Sequence, residues 1–409
     1  MPSYSGVWNL NAQLQAYAAQ NWPQGPGAPT SVSATAGDAS ATVSFTAPTF
    51  TGVPPGITGY QAISSPGGFT ATGASSPLTV SGLTNGTAYT FNVQATNGVQ
   101  YGPAGTSGSV TPEKLQRGLF GGGSTPSASN VIDYINISSA GNATDFGDLT
   151  LARFGLSSCS SSTRGVWAGG EQSSRSNVID YVTIASAGNA ADFGDLGVID
   201  SYSETSTLAA CSNETRGVIG GGENAGNSNG WDVIQYITIA STGNSTNFGD
   251  LTQARRQLGS CSSTTRGVWG GGRTTADVNT IDYVTIASTG NAIDFGDLLS
   301  NITSIAACSS NIRGLFGGGS GPSNVIQYIT IASAGNATDF GDLNNSVRYL
   351  GATSGTTRGV FGGGIDSVGR INVIDYVTIV SSGNATDFGD LSQTRAELAA
   401  CSSAHGGLA

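Results

Sequence analysis

Residues 164–195 read Arg164-Gly165-Val166-Trp167-Ala168-Gly169-Gly170, then, after a polar loop, Asn177-Val178-Ile179-Asp180-Tyr181-Val182-Thr183-Ile184, then Gly188-Asn189 and Asp192-Phe193-Gly194-Asp195. Runs of β-branched and aromatic residues between glycine- and asparagine-rich punctuation are the pattern of short antiparallel strands, and no helical period runs through them. The stretch is one of six. Arg-Gly, two bulky residues and a glycine cluster recur at Arg117, Arg164, Arg216, Arg266, Arg313 and Arg358, spaced by 47, 52, 50, 47 and 45 residues. A Tyr follows in each copy, at 134, 181, 236, 283, 328 and 376, and then a Gly-Asn pair, expected to supply the positive φ angles of a tight reversal. Asp-Phe-Gly-Asp closes the next strand in five copies, Asn247-Phe248-Gly249-Asp250 in the third. A strand of small residues, such as Leu208 to Ser212, completes each unit.

Four strands per unit of 45 to 52 residues is the pattern of a propeller blade. The array starts on the Arg-Gly strand and finishes, at Leu398 to Ser403, on the small-residue strand that the first unit lacks. Pairing the two would hide both free edges. The expected fold is therefore all-β, with residues 114–409 forming a six-bladed β-propeller whose C-terminal strand closes blade one. The repeat resembles the kelch type, in which a small-residue innermost strand is followed by a strand ending in paired glycines, here Gly121 to Gly123, Gly169/Gly170, Gly220 to Gly222, Gly270 to Gly272, Gly317 to Gly319 and Gly362 to Gly364. Where that family has a Trp after the Tyr strand, Phe146, Phe193, Phe248, Phe295, Phe340 and Phe388 are expected to fill the role.

Cys159, Cys211, Cys261, Cys308 and Cys401 share one register of the innermost strand, with Thr353 in the remaining copy. Equivalent positions on rotated blades are too far apart for disulfides, so these are expected to be small buried packing residues. The six repeat arginines match in number the six strand-closing aspartates (Asp148, Asp195, Asp250, Asp297, Asp342, Asp390), and ion pairs or bonds to loop carbonyls are expected of them. A charged ring binding a cation or an anionic sugar is the functional alternative.

Residues 28–113 read as short alternating strands, clean at Ala41, Val43, Phe45 and at Tyr89, Phe91, Val93, Ala95. Leu83-Thr84-Asn85-Gly86-Thr87-Ala88-Tyr89 resembles the run into the tyrosine corner of a fibronectin type III domain, which makes Tyr89 the corner and places Phe45 where the family has a Trp. Residues 1–27 form a separate N-terminal segment. Trp8, Leu10, Leu14, Tyr17 and Trp22 are spaced to form one apolar stripe over about three helical turns, and are candidate docking residues. Gly6-Val7-Trp8 and Asn21-Trp22-Pro23 resemble the leaders of bacteriophage tail and fibre proteins.

Composition narrows the chemistry. Of 409 residues 62 are Gly, 10% are charged and the net charge is −11, with Lys114 the single lysine, which leaves no basic face for nucleic acid. No long apolar run or basic leader suggests membrane insertion or secretion. His405 is the single histidine and is read as structural. No catalytic residue, cofactor or metal is expected: Cys and His lack ligand spacing, the glycine clusters lack a phosphate-loop Lys, and every unit carries the same carboxylates where a catalytic pair should break the symmetry.

The loops do break it. Candidate binding-loop residues are Asn227, Asn229 and Trp231 in the Glu223 to Asp232 segment, Arg273, and Tyr202 in the Gly197 to Thr207 insertion. The resemblances imply a non-enzymatic virion structural protein, tail- or fibre-associated and assembled in the host cytoplasm. It would dock on other virion proteins through the N-terminal segment, form homo-oligomers, and present the propeller to a host-surface glycan or a protein. A capsid-decorating protein and a bacterial adhesion or scaffold protein are the alternatives.

Overall fold

The computed structural model describes residues 11, 14–15, 24–52, 56–198, 205–224 and 229–408. They fall into two compact units, Met1–Leu115 and Gln116–Ala409. The docking candidates Trp8, Leu10, Tyr17 and Trp22 lie outside the described residues, while Leu14 is helical and 56% exposed.

In the first unit, alternation in sequence becomes alternation in burial. One sheet pairs Thr30–Gly37, Ser40–Thr46 and Leu78–Ser81; the other orders Thr70–Gly73, Gly59–Ser65, Thr90–Thr96 and Gly105–Thr106. Ala41, Val43, Tyr60, Ala62, Phe91 and Val93 meet in one core. The Tyr89 hydroxyl accepts the Thr84 backbone N–H at 3.1 Å, which fixes the chain entering that strand. Phe45 packs against Tyr60 with the rings tilted and their centroids 4.7 Å apart.

The second unit contains six four-stranded antiparallel sheets. Sheet I comprises Arg117–Gly121, Val131–Asn136 and Thr144–Asp148, and sheet II Ser157–Ser160, Arg164–Ala168, Val178–Thr183 and Ala191–Asp195. Sheet III is Ala209–Ser212, Arg216–Gly220, Trp231–Thr238 and Thr246–Arg255; sheet IV is Gly259–Ser262, Arg266–Gly270, Thr280–Thr285 and Ile293–Asp297. Sheet V is Ala306–Ser309, Arg313–Gly317, Ser323–Thr330 and Thr338–Val347; sheet VI is Gly351–Ser354, Arg358–Gly362, Val373–Thr378 and Thr386–Asp390. The fourth strand of sheet I comes from the far end of the chain: Ala399–Ser402 pairs with Arg117–Gly121, Cys401 opposite Leu119.

The cores lie between sheets, as a sheet with two apolar faces requires. Leu119, Ile132 and Phe146 of sheet I pack with Trp167 and Val182 of sheet II, and Phe120 and Ile135 of sheet I pack with Val360 and Ile374 of sheet VI. In every sheet the Tyr and the Phe of Phe-Gly-Asp meet edge to face, centroids 5.8–6.0 Å apart.

Of the two expectations for the repeated charges, the bond to a loop carbonyl is the one the arginines make. Each repeat arginine lies over the Tyr of its own sheet at 4.4–4.9 Å and donates from Nη1 to an isoleucine carbonyl of the next, Arg117 to Ile184 at 2.9 Å and Arg358 to Ile137 at 3.1 Å. Among the described residues Asp148, Asp195, Asp297, Asp342 and Asp390 form no ion pair with a repeat arginine. The Asp backbone N–H instead donates to the Asn of the neighbouring Gly-Asn pair, as Asp148 does to Asn189 Oδ1 at 3.1 Å. The Gly-Asn pair is therefore not the tight reversal: the turn falls earlier, at Ile137 to Ser139 in sheet I, and Gly188 N donates across the seam to Phe146 O at 2.7 Å.

The cysteines are free and buried. Each projects against the glycine of the next Arg-Gly, so that a Cβ on Gly217 would stand 2.5 Å from Cys159 Sγ. The Arg-Gly pair thus has a steric origin.

Candidate functional site

The glycine-cluster loops and the segments leading into the innermost strands emerge on one face of the six-sheet unit and are stitched together there. Phe154 bridges Glu171, Ser206 bridges Glu223, and Arg256 bridges Arg273. At the centre of that face six residues take the left-handed conformation: Gly155, Thr207, Gln257, Ser304, Tyr349 and Glu397, with φ between 54° and 64°. Each backbone N–H donates to the carbonyl of its predecessor, 2.7 Å from Thr207 to Gly155 and 2.8 Å from Glu397 to Tyr349, and Gly155 N returns to Glu397 O at 2.9 Å, so the series closes on itself. Holding five non-glycine residues there costs about 1 kcal/mol or more apiece, offset by the surrounding packing.

Directly below lie Leu156, Leu208, Leu258, Ile305, Leu350 and Leu398. Together the two tiers line a depression of about 80 Å³ with an apolar floor and a polar rim. Its rim is asymmetric. Gln257 Nε2 donates to Tyr349 Oη at 3.2 Å, and Arg348 lies over the Tyr349 ring at 5.4 Å. Burial pushes the Glu397 carboxyl up, opposed by Arg370 and Arg348 and reinforced by Glu171. Around the rim, Glu223 binds Arg175 at 3.0 Å and also Arg256, and Arg370 Nε donates to Ser124 Oγ at 3.2 Å. These contacts hold the loops as a firm surface.

The sequence-based candidates fare unevenly. Trp231 is 7% exposed: it opens the third strand of sheet III opposite Arg255 and donates its backbone N–H to Gly222 O, so it is a packing residue and not a loop side chain. Arg273 is on the loop face, its side chain 45% exposed and paired with Asp277 at 3.3 Å. Asn229 is exposed in the turn just before Trp231. Asn227 and Tyr202 lie outside the described residues. The left-handed ring was not anticipated, although its signal was available: directly before the Leu or Ile that leads each innermost strand, six similar repeats carry Gly, Thr, Gln, Ser, Tyr and Glu.

On the opposite face Ser160, Ser212, Ser262, Ser309, Ser354 and Ser402 form a second closed series, each Oγ donating to its neighbour's carbonyl at 2.6–2.8 Å. His405 sits in the axial cavity they border, with Nε2 3.1 Å from Ser160 O and 3.3 Å from Ser212 Oγ. Burial pushes its pKa down to about 4, so it is a neutral plug at neutral pH. The thiols are equally unreactive: burial pushes Cys159 and Cys308 up to about 12. Among the described residues, no three His, Cys, Asp or Glu gather as metal ligands.

No curated protein matches the chain. Residues 27–111 match the fibronectin type III domain family, and with the two-sheet core and the Tyr89 bond already described, this part of an all-β chain is a fibronectin type III β-sandwich.

Proposed function

We propose that the chain is a non-catalytic binding protein in which the fibronectin type III sandwich precedes a six-bladed, kelch-like β-propeller closed by its C-terminal strand. The propeller's loop face binds a neutral glycan or a protein surface. Support for the ring comes from cyclic order: the left-handed residues, the axial serines and the Arg-to-Ile bonds each run sheet to sheet and return to sheet I. Support for the binding face is one observation above all. The six axial positions share one backbone conformation and carry six different side chains, over an apolar floor suited to a sugar ring or an apolar side chain. The resemblance of residues 1–25 to phage leaders supplies the setting, a tail- or fibre-associated virion protein that docks through that segment.

A glycan array probed with the full chain tests the binding face. Tyr349→Ala and Glu397→Gln are expected to weaken any captured glycan at least about tenfold, the loss of one or two well-placed polar contacts. Unchanged binding by both variants would move the site off the axis. Labelling intact particles tests the setting: signal at the tail or fibre supports it, signal on the head makes the chain a capsid decoration, and absence from particles favours a bacterial scaffold.

A further inference from the structure

Three seams between sheets contain the same buried ion pair. Arg153, Arg255 and Arg395, each two residues before a left-handed position, reach Asp180, Asp282 and Asp133 of the following sheet at 2.9, 2.5 and 2.6 Å, with both side chains fully buried. Around Arg395 the guanidinium also donates to the carbonyls of Phe120, Gly122 and Val131, at 3.2, 3.0 and 2.6 Å. In two other seams both charges are gone: Thr205 and Ile302 replace the arginine, and Gln235 and Gln327 replace the aspartate.

The seam between sheets V and VI makes only half of that change. Val347 replaces the arginine, but the acid remains as Asp375, 5% exposed. Asn344 bonds it through its N–H at 3.1 Å and Nδ2 at 2.6 Å, as Ser392 bonds Asp133 at 3.2 and 2.6 Å. Where the guanidinium would lie there is a cavity of about 10 Å³, which Leu343, Val347, Leu350 and Ile371 line with apolar side chains and which Phe361, Gly363, Val373 and Asp375 border. The last four are the counterparts of the four residues that hold the Arg395 guanidinium. Desolvation raises the Asp375 pKa above the ordinary carboxylate range, as it also does for Asp180 in its pair with Arg153.

We propose that this cavity binds one monovalent cation of water size, potassium or ammonium, through the Asp375 carboxylate and the carbonyl oxygens of Phe361, Gly363 and Val373. Size argues for it, because a cavity of about 10 Å³ is roughly one water-sized sphere. So does charge, since one carboxylate balances one positive charge, and so does the all-oxygen donor set, which suits hard cations. The way in is a polar hollow of about 440 Å³ beside it, and Asn345 lines both spaces. Val347 is two residues from Tyr349, so an ion there braces the seam beneath one side of the axial depression.

The test is thermal unfolding of the full chain in chloride salts of potassium, ammonium, sodium or tetramethylammonium at equal ionic strength, with thallium(I), a potassium surrogate, soaked into crystals. The wild type is expected to show a saturable rise in Tm of about 2–4 °C in potassium or ammonium over tetramethylammonium, and an anomalous thallium peak beside Asp375. Asp375→Asn should lose both, and Val347→Arg, which supplies a tethered guanidinium, should lose the salt dependence. Equal Tm in all four salts with no thallium peak would overturn the proposal, as would a cation effect that survives Asp375→Asn. Because the peak is read on the wild type, it decides the matter even if Val347→Arg fails to fold.

Discussion

Ala168 and Ile219 share a core cluster across the seam between sheets II and III, at the two positions that in the other five seams hold a glycine and an aromatic ring. Elsewhere Trp167 lies on Gly121, Trp269 on Gly220, Phe316 on Gly270, Phe361 on Gly317 and Phe120 on Gly362, so close that a Cβ would come within 2.6–3.1 Å of the ring. A smaller side chain on one sheet leaves room for one methyl on the other.

Volume at that seam is therefore a shared quantity. Ile219→Trp alone is expected to destabilise by about 1–3 kcal/mol through overpacking, and Ala168→Gly added to it should recover most of the loss. Chemical denaturation of the single and double variants gives the coupling; strict additivity would show that the two sites do not communicate.

Arg395 and Asp133 form a pair that is expensive to break and cheap to replace. Arg395→Met leaves a buried carboxylate with no counter-charge, an expected loss of about 3–5 kcal/mol. The double change Arg395→Ile with Asp133→Gln reproduces the combination already present at Ile302 and Gln327 and should restore most of it. Urea midpoints of the three proteins separate these outcomes.

The cysteines provide a measure of global opening. With every thiol buried and its pKa raised by desolvation, a disulfide reagent is expected to label none of the five in the native protein and all five after denaturation. Rapid native labelling of any of them would place that strand at an accessible surface.

Acid should loosen the axial plug. His405 titrates at about 4 in the folded chain against 6.5 when unperturbed, so the folded state binds the proton more weakly. Stability is then full above pH 6.5 and falls as the pH drops toward 4, because the unfolded chain takes up a proton that the folded one refuses. His405→Gln should flatten this part of the Tm profile between pH 7 and 4.

Removing residues 398–409 takes away the innermost strand of sheet I, Cys401 and Ser402 included. A chain ending at 397 is expected to melt well below the full-length protein, since Arg117–Gly121 would lose its inner ladder. An unchanged Tm would show that the ladder adds nothing to stability.

Sequence alone determined the number of units, the strand count in each and the sandwich before them. Those properties come from local periodicity and punctuation: alternation at Phe91 and Val93 sets burial whatever surrounds it, and six copies of Arg-Gly to Phe-Gly-Asp must fold alike. Tertiary structure decided everything that depends on which copy faces which. Why each repeat arginine reaches an isoleucine carbonyl and why a glycine follows it are both answered by a neighbouring sheet, and why Trp231 is buried by the pairing of its strand with the one that ends at Arg255. The left-handed ring and the arginine missing opposite Asp375 belong to the same class. Their meaning lies in departures from symmetry, and a departure becomes physical only when the seam is assembled and a side chain finds, or lacks, its partner across it.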